Sequence, residues 1–537
     1  MRKKNLNLLV IVLLFIVSIT SCVDTWDSHY SPVSMEKSNL TLYKYMLSDS
    51  TLSTFNKMLK ISGYDSILNK TQTYTVWAPI NKALVDVNLK DTALVKEIVK
   101  NHIARFSTPT SDVSSKSVFM IDNKYILLTR GGVGFTFGGK NIVKSNIATT
   151  NGILHYIDNY VPYIPNIWEY IGKTVGGFNG LDSLKAFLYS QTKLQFDATA
   201  SGSPIGTDPV THQLLYDSVF VYKNLILDKL GQLGNEDSLY TAILPTNTAW
   251  TEAYSRIKPY FNTLAKDGGA QKQREYTQWA IVQDIAFRQR LSDPALSDSV
   301  ISTIGNVFHN TSGNIFSGAT KTVLSNGNVF VTNLLTHKAK DSWQKAIRIE
   351  AETEYYGRDK SNCDIYNRSS AGSGFNISQD KYILVNNQTI NDNQRCYVRF
   401  PIPNTLSAKY NISCVLIPGN IVDSKDQRLN KVRFYLSYVN SIGVQIASAS
   451  IDANNVAQPQ TSPKIAGTIF KTENFTGPQK IFITQLNFSY CNIIDPLAFK
   501  PTDITVKVWV ENAVKSTETV SFNKDMRIDY IILEPAE

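Results

Sequence analysis

The chain has 537 residues, of which 43% are hydrophobic and 11% aromatic, and a formal charge of +9. That length exceeds a single core and implies three or four domains at roughly 150 residues each, while the apolar content suffices for packed cores and excludes wholesale disorder. The positive charge is spread thinly, with no lysine or arginine run and no basic stripe interleaved with aromatics, which excludes nucleic-acid binding as an expected role.

Residues 1–21 read as a targeting leader. Arg2, Lys3 and Lys4 form a basic start, and Leu8 to Ile19 form an apolar run shorter than the ~20 residues a membrane helix needs. Thr20 and Ser21, both small, precede Cys22 in "ITSC". This resembles a bacterial lipobox, which implies that the Cys22 thiol receives diacylglycerol and becomes the new N-terminus. The resemblance implies an outer-membrane, lipid-anchored protein at the cell surface. Loss of three leader cations would take the charge from +9 to +6. Residues 22–37 then form a polar linker, and its Asp24 and Asp27 resemble the surface-export signal of some Gram-negative lipoproteins.

From residue 38 the pattern becomes globular. Leu42, Tyr45 and Met46, then Phe55, Met58 and Leu59, fall at three-and-four spacing and predict amphipathic helix. "TYTVWAPINKAL" (residues 73–84) follows, and it returns as "LYTAILPTNTAW" (residues 239–250), pairing Tyr74 with Tyr240, Thr75 with Thr241, Pro79 with Pro245 and Asn81 with Asn247. Each copy predicts a strand, a proline stop and a helix capped by its asparagine. Further on, Asn151-Gly152 and Asn326-Gly327 each predict a tight turn before an alternating strand. Together these motifs resemble the fasciclin (FAS1) domain, with His102, "NGILHYID", His155 and Asp158 matching the family pattern in the first copy. In the second copy Asp284 stands near the histidine position, and Phe330 and Thr332 replace the second histidine and an isoleucine, so that copy is degenerate. The resemblance implies two α+β FAS1 domains, 38–165 and 166–340, of a family without catalytic activity. His102 and His155 are therefore read as satisfied core groups.

Enzyme templates find little footing. "GFTFGGKN" (residues 134–141) lies one residue from a phosphate-binding loop, but its surroundings read as strand, glycine turn, strand, so a hairpin is expected. No H-E-x-x-H, G-x-S-x-G or C-x-x-C string occurs. Glycoside hydrolysis by dispersed carboxylates stays as a minor alternative. "FDATASGSPIGTDPVTHQ" (residues 196–213) reads as a surface loop in the second domain.

Residues 341–537 change to short alternating segments, among them "KVRFYLSYV", "ITVKVWVENA" and "RIDYIILEP", which predict a β-sandwich. Its ends, "IEAE" and "RIDYIIL", resemble those of jelly-roll carbohydrate-binding modules. That resemblance implies a structural calcium held by Glu350, Glu352 and Asp529, and spacing i, i+2 on a strand would put both glutamates on one face. Alternation puts Val506, Val508 and Val510 inward and Trp509 outward, and puts Phe434 and Leu436 inward with Tyr435 outward. Trp509 and Tyr435 are thus candidates for stacking on a sugar, or for packing on a neighbouring surface. Cys363, Cys396, Cys414 and Cys491 allow three pairings.

The reading is a non-catalytic surface lipoprotein that binds glycan or protein partners, as an accessory of a polysaccharide-uptake system with a TonB-dependent transporter. The alternative is a structural adhesion protein with no glycan site.

Overall fold

The computed structural model describes residues 36–536 except 112, 133, 174–179, 311–312, 389–394 and 461–466. The leader, Cys22 and the linker up to residue 35 lie outside the described residues. Among those described, no helix is long and apolar enough to cross a membrane. The chain divides into two compact units, one ending at Asn166 and one beginning at Ile167.

In the first unit the amphipathic pattern forms helices Leu42–Ser48 and Ser53–Ser62, which bury Leu42, Met46, Phe55, Met58 and Leu59 completely. Each such side chain contributes about 1.5–3 kcal/mol. They pack near Tyr74–Pro79, the strand written by the repeat motif. That strand pairs antiparallel with Ile103–Arg105 and parallel with Gly152–Ile157, which in turn pairs with Lys140–Thr149. A meander of Gly134–Phe137, Tyr125–Gly131 and Ser115–Phe119 extends the sheet. "GFTFGGKN" is indeed a hairpin, turning at Gly138 and Gly139 with φ of 54° and 75°, and no helix follows it.

The second copy of the motif repeats this order. Tyr240–Pro245 lies between Ala286–Arg288 and Gly327–Thr332, and Thr320–Leu324 closes the sheet. Even the register is shared, with Tyr74 opposite Gly152 and Tyr240 opposite Gly327. The glycines permit this approach: a Cβ on Gly152 would lie 1.9 Å from the Tyr74 carbonyl oxygen, and one on Gly327 2.0 Å from that of Tyr240. The segment expected as a loop is a projecting arm, in which Thr192–Phe196 pairs with Phe220–Asn224 and Gly206–Thr207 with Leu214–Leu215.

Two antiparallel sheets follow. The first orders Cys363–Ser369, Lys381–Asn387, Met526–Pro535, Lys409–Leu416 and Gln479–Asn487, with Ile347–Glu350 also on Met526–Pro535. The second orders Asp359–Ser361, Tyr397–Pro401, Lys507–Asn512, Lys431–Val439, Gln445–Ile451 and Ala457–Pro459. Ile383, Ile412, Cys414 and Ile531 from the first share a core with Phe400, Phe434, Leu436, Val508 and Val510 from the second. The same core continues into the second repeat, and direct hydrogen bonds join them: Ser407 N to Tyr260 O, Cys491 N to Asn262 O and Asn262 Nδ2 to Ser489 O, each 2.8 Å.

Candidate functional site

The polar letters that the two copies share are buried anchors. Thr75 Oγ1 donates to Phe106 O at 2.7 Å and accepts from Thr108 N at 2.8 Å, and Thr241 does the same with Gln289 O and Leu291 N at 2.9 and 2.8 Å. Asn151 Oδ1 accepts from Leu42 N while its amide donates to Leu68 O and Lys70 O. Asn326 likewise accepts from Ile167 N and donates to Leu233 O and Asn235 O. Asn81 departs from its expected role. Its Oδ1 caps Thr54 N of the helix Ser53–Ser62 rather than its own segment, a short 3-10 turn at Asn81–Leu84, and Asn247 caps Ser183 N in the same way.

Both first-unit histidines are fully enclosed. His102 Nδ1 donates to Ile98 O at 2.7 Å, and Nε2 accepts from Val161 N at 2.9 Å. His155 takes the opposite tautomer, with Nδ1 accepting from Asn146 N and Nε2 donating to Thr108 O at 3.0 Å. Burial pushes both pKa values down to about 4, so the rings are neutral. Trp77 stacks between His155 and Phe137, at 5.5 and 4.2 Å between centroids. Such rings plug a core, and no open position is left on either for chemistry. In the second copy the register puts Ile285 at the His102 position, so Asp284, expected near that place, instead matches Asn101. Asp284 accepts from Ser302 Oγ at 2.6 Å, from Asn306 Nδ2 and from Ser342 Oγ, and because Ser342 belongs to the segment that leads into the sandwich, this carboxylate ties the two together.

The three carboxylates expected to hold calcium do gather at one end of the sandwich. Asp529, buried, accepts from Ser378 N at 3.2 Å, and Ser378 Oγ donates to Glu350 Oε1 at 2.8 Å. A register shift in the pairing of Lys409–Leu416 with Met526–Pro535 falls where Asp529 and Tyr530 lie, and such a bulge re-aims a side chain. Burial first, then the charges of Glu350 and Glu352, push the Asp529 carboxyl up to about 7. Burial also raises Glu352. Glu350 Oε2 and Glu352 Oε2 are enclosed and have no hydrogen-bond partner. One expectation fails: the strand ends at Glu350, and Glu352 lies in the turn after it, so the two do not share a strand face. Among the described residues no group of three or more His, Cys, Asp or Glu side chains is arranged to hold a metal ion. In kind the residues fit a hard cation, with oxygen donors and two unpaired oxygens.

Trp509 and Tyr435 occupy the face opposite the core, as alternation requires, and sit as cross-strand partners. Trp509 is half-buried. Tyr397 stacks on it at 5.5 Å and 17°, and the Arg399 guanidinium lies 4.8 Å from its ring centre. Tyr435 corrects the expectation of an open aromatic, because it is only 5% exposed and its hydroxyl accepts from Arg395 at 2.9 Å. The face carries a buried carboxylate, Glu511, which pairs with Arg395 at 3.3 Å and Arg433 at 3.6 Å, and which burial pushes up. Trp509 Nε1 is enclosed without a partner. Tyr397, Arg395 and Arg399 were missed by the sequence reading. Their signal was the alternation of "RCYVRFP" paired against "KVWVEN", which needs the strand pairing to be read.

Residues 50–162 match the family model for the fasciclin domain. No curated protein matches. Among solved structures, the chain is similar to a FAS1 domain pair from the insect cell adhesion molecule Fasciclin I, with 14% identity, a TM-score of 0.21, and 55% of this chain and 99% of that chain covered. It is also similar to a family 35 carbohydrate-binding module from Clostridium thermocellum, with 13% identity, a TM-score of 0.18, and 36% and 99% covered. For a xylan-binding domain of module family 22 the identity is 14%, the TM-score 0.19, and the coverage 35% and 92%.

Proposed function

We propose that this chain is a non-catalytic, lipid-anchored surface protein in which two fasciclin-type domains carry a jelly-roll-like sandwich that binds glycan. The observation that carries the reading is the Trp509 face, where a half-buried indole with an unpaired Nε1 lies among Tyr397, Arg399 and Glu511. Aromatic surface beside charged hydrogen-bonding groups suits a pyranose ring, which offers an apolar face and an edge of hydroxyls. Calcium at Glu350, Glu352 and Asp529 would hold the first strand of the sandwich to the last, with oxygen ligands of the kind that cation takes. Cys22 anchors the chain to the outer membrane, and a TonB-dependent transporter for polysaccharide is the expected companion.

The experiment is a glycan-array screen of the full chain and its Trp509→Ala variant. Binding that is lost in the variant while the melting temperature holds supports the site. Loss of both assigns Trp509 to packing and removes the glycan reading. For the anchor, Cys22→Ala should move the protein from membranes to the soluble fraction, and unchanged partition would end the lipoprotein reading.

A second reading, a structural adhesion protein with a protein partner, is favoured by the projecting arm, where Leu194, Ile205, Val210, Leu214 and Tyr222 are exposed. Exposed apolar patches of this kind mark protein contacts.

A further inference from the structure

Two of the four sandwich cysteines meet where the chain crosses from one sheet to the other. Asp359–Ser361 runs antiparallel to Tyr397–Pro401 with Ser361 opposite Tyr397, and Asn362, at φ 52°, then turns the chain into Cys363–Ser369 of the other sheet. Asn362 Nδ2 donates to the Arg395 carbonyl at 3.1 Å, and Cys363 Sγ lies 3.5 Å from the Tyr397 carbonyl. The backbone on both sides of Cys396 is thereby held against Cys363. Both thiols are buried. The remaining pair is placed otherwise: Cys414 sits in mid-strand opposite Ile481 and Ile531, and Cys491 Sγ shares a hydrogen bond with Thr263 Oγ1 at 3.3 Å.

We propose that Cys363 and Cys396 form a disulfide in the exported protein, with Cys414 and Cys491 remaining free thiols. The oxidant is another disulfide. The Cys363 thiolate attacks one of its sulfurs and expels a thiolate, which takes up a proton. The Cys396 thiolate then attacks Cys363 Sγ and expels the second, so two protein thiols are oxidised while one disulfide is reduced to two thiols. Because both sulfurs are enclosed in the folded chain, the bond forms before the sandwich closes. It joins the two sheets and restrains the unfolded chain across the intervening loop. The inference is independent of glycan binding.

The test is peptide mapping of the full chain exported to a bacterial periplasm, denatured with iodoacetamide and without reductant, and of reduced chain refolded with glutathione disulfide. A linked peptide pair containing Cys363 and Cys396, with Cys414 and Cys491 alkylated, is the expected result in both. Alkylation of all four, or any link through Cys414 or Cys491, overturns the proposal. Reduction of the linked form should lower the melting temperature by several degrees, to where the Cys363→Ser/Cys396→Ser chain melts. If that variant does not fold, the peptide map alone decides.

Discussion

A buried imidazole without a charge partner weakens a fold as pH falls. His102 and His155 have folded pKa values of about 4 against 6.5 when unfolded, so between those values the unfolded chain binds the extra protons. Their contribution is intact above about pH 6.5 and is lost as pH drops toward 4, at up to about 3 kcal/mol for each histidine. Hydrogen exchange of the strand Tyr74–Pro79 in the full chain should therefore quicken, relative to intrinsic rates, from pH 7 to 5. In His102→Gln/His155→Gln, where the amides keep donor and acceptor, that slope should vanish. A slope unchanged in the double variant would mean that other groups titrate. At this scale the sequence was half legible. The core role of both histidines follows from their apolar neighbours, but the service of Asn81 to a helix that starts at Ser53 does not, because capping across 27 residues leaves no local pattern.

Strand alternation predicts which way a side chain points and says nothing of what lies over it. Val506, Val508, Val510, Phe434 and Leu436 are all inward, as read, yet outward Tyr435 is covered, since Arg395, from the segment before Tyr397–Pro401, and Glu511, from the neighbouring strand, close on it. The opening strand shows the complementary gap. "IRIEAETEYY" alternates past the point where Ile347–Glu350 ends, because the chain turns at Ala351 and Glu352 instead of following its partner. What that turn achieves is to bring a second glutamate near Asp529, whose raised pKa records the crowding of like charges in a buried place. A divalent cation relieves such crowding. Calcium added to the full chain should raise the melting temperature of the transition that includes the sandwich, by mass action worth about 2.7 kcal/mol at a hundredfold excess over Kd. Chelator should reverse the rise, and Glu352→Gln should blunt it. Identical melts in calcium and in chelator, with no heat of binding by calorimetry, would remove the metal.

At the scale of the molecule, two repeats and a sandwich suggest three independent bodies, but the packing joins the last two. The segment 336–346, which spans the boundary between the second repeat and the sandwich, buries His337, Ser342 and Gln344, and Ser342 donates to the Asp284 carboxylate inside the second repeat. Tyr260 and Trp343 meet edge to face at 5.8 Å, and the 260–262 stretch hydrogen-bonds Ser407, Ser489 and Cys491 of the sandwich. A protease needs several residues of extended, accessible backbone, and a segment fixed at this many points supplies it only by unfolding. Limited proteolysis of the full chain should thus spare 336–346, and the fragment from Ile167 onward should melt in one calorimetric transition that carries both the repeat and the sandwich. Ser342 is one of these links, and Ser342→Ala leaves the Asp284 carboxylate short of a donor in a buried place, a loss of about 1–3 kcal/mol. That variant should melt lower and become sensitive to cleavage near 340. Early cutting at 336–346 in the unaltered chain, or two separate transitions for the repeat and the sandwich, would show that the shared core does not make them one cooperative body.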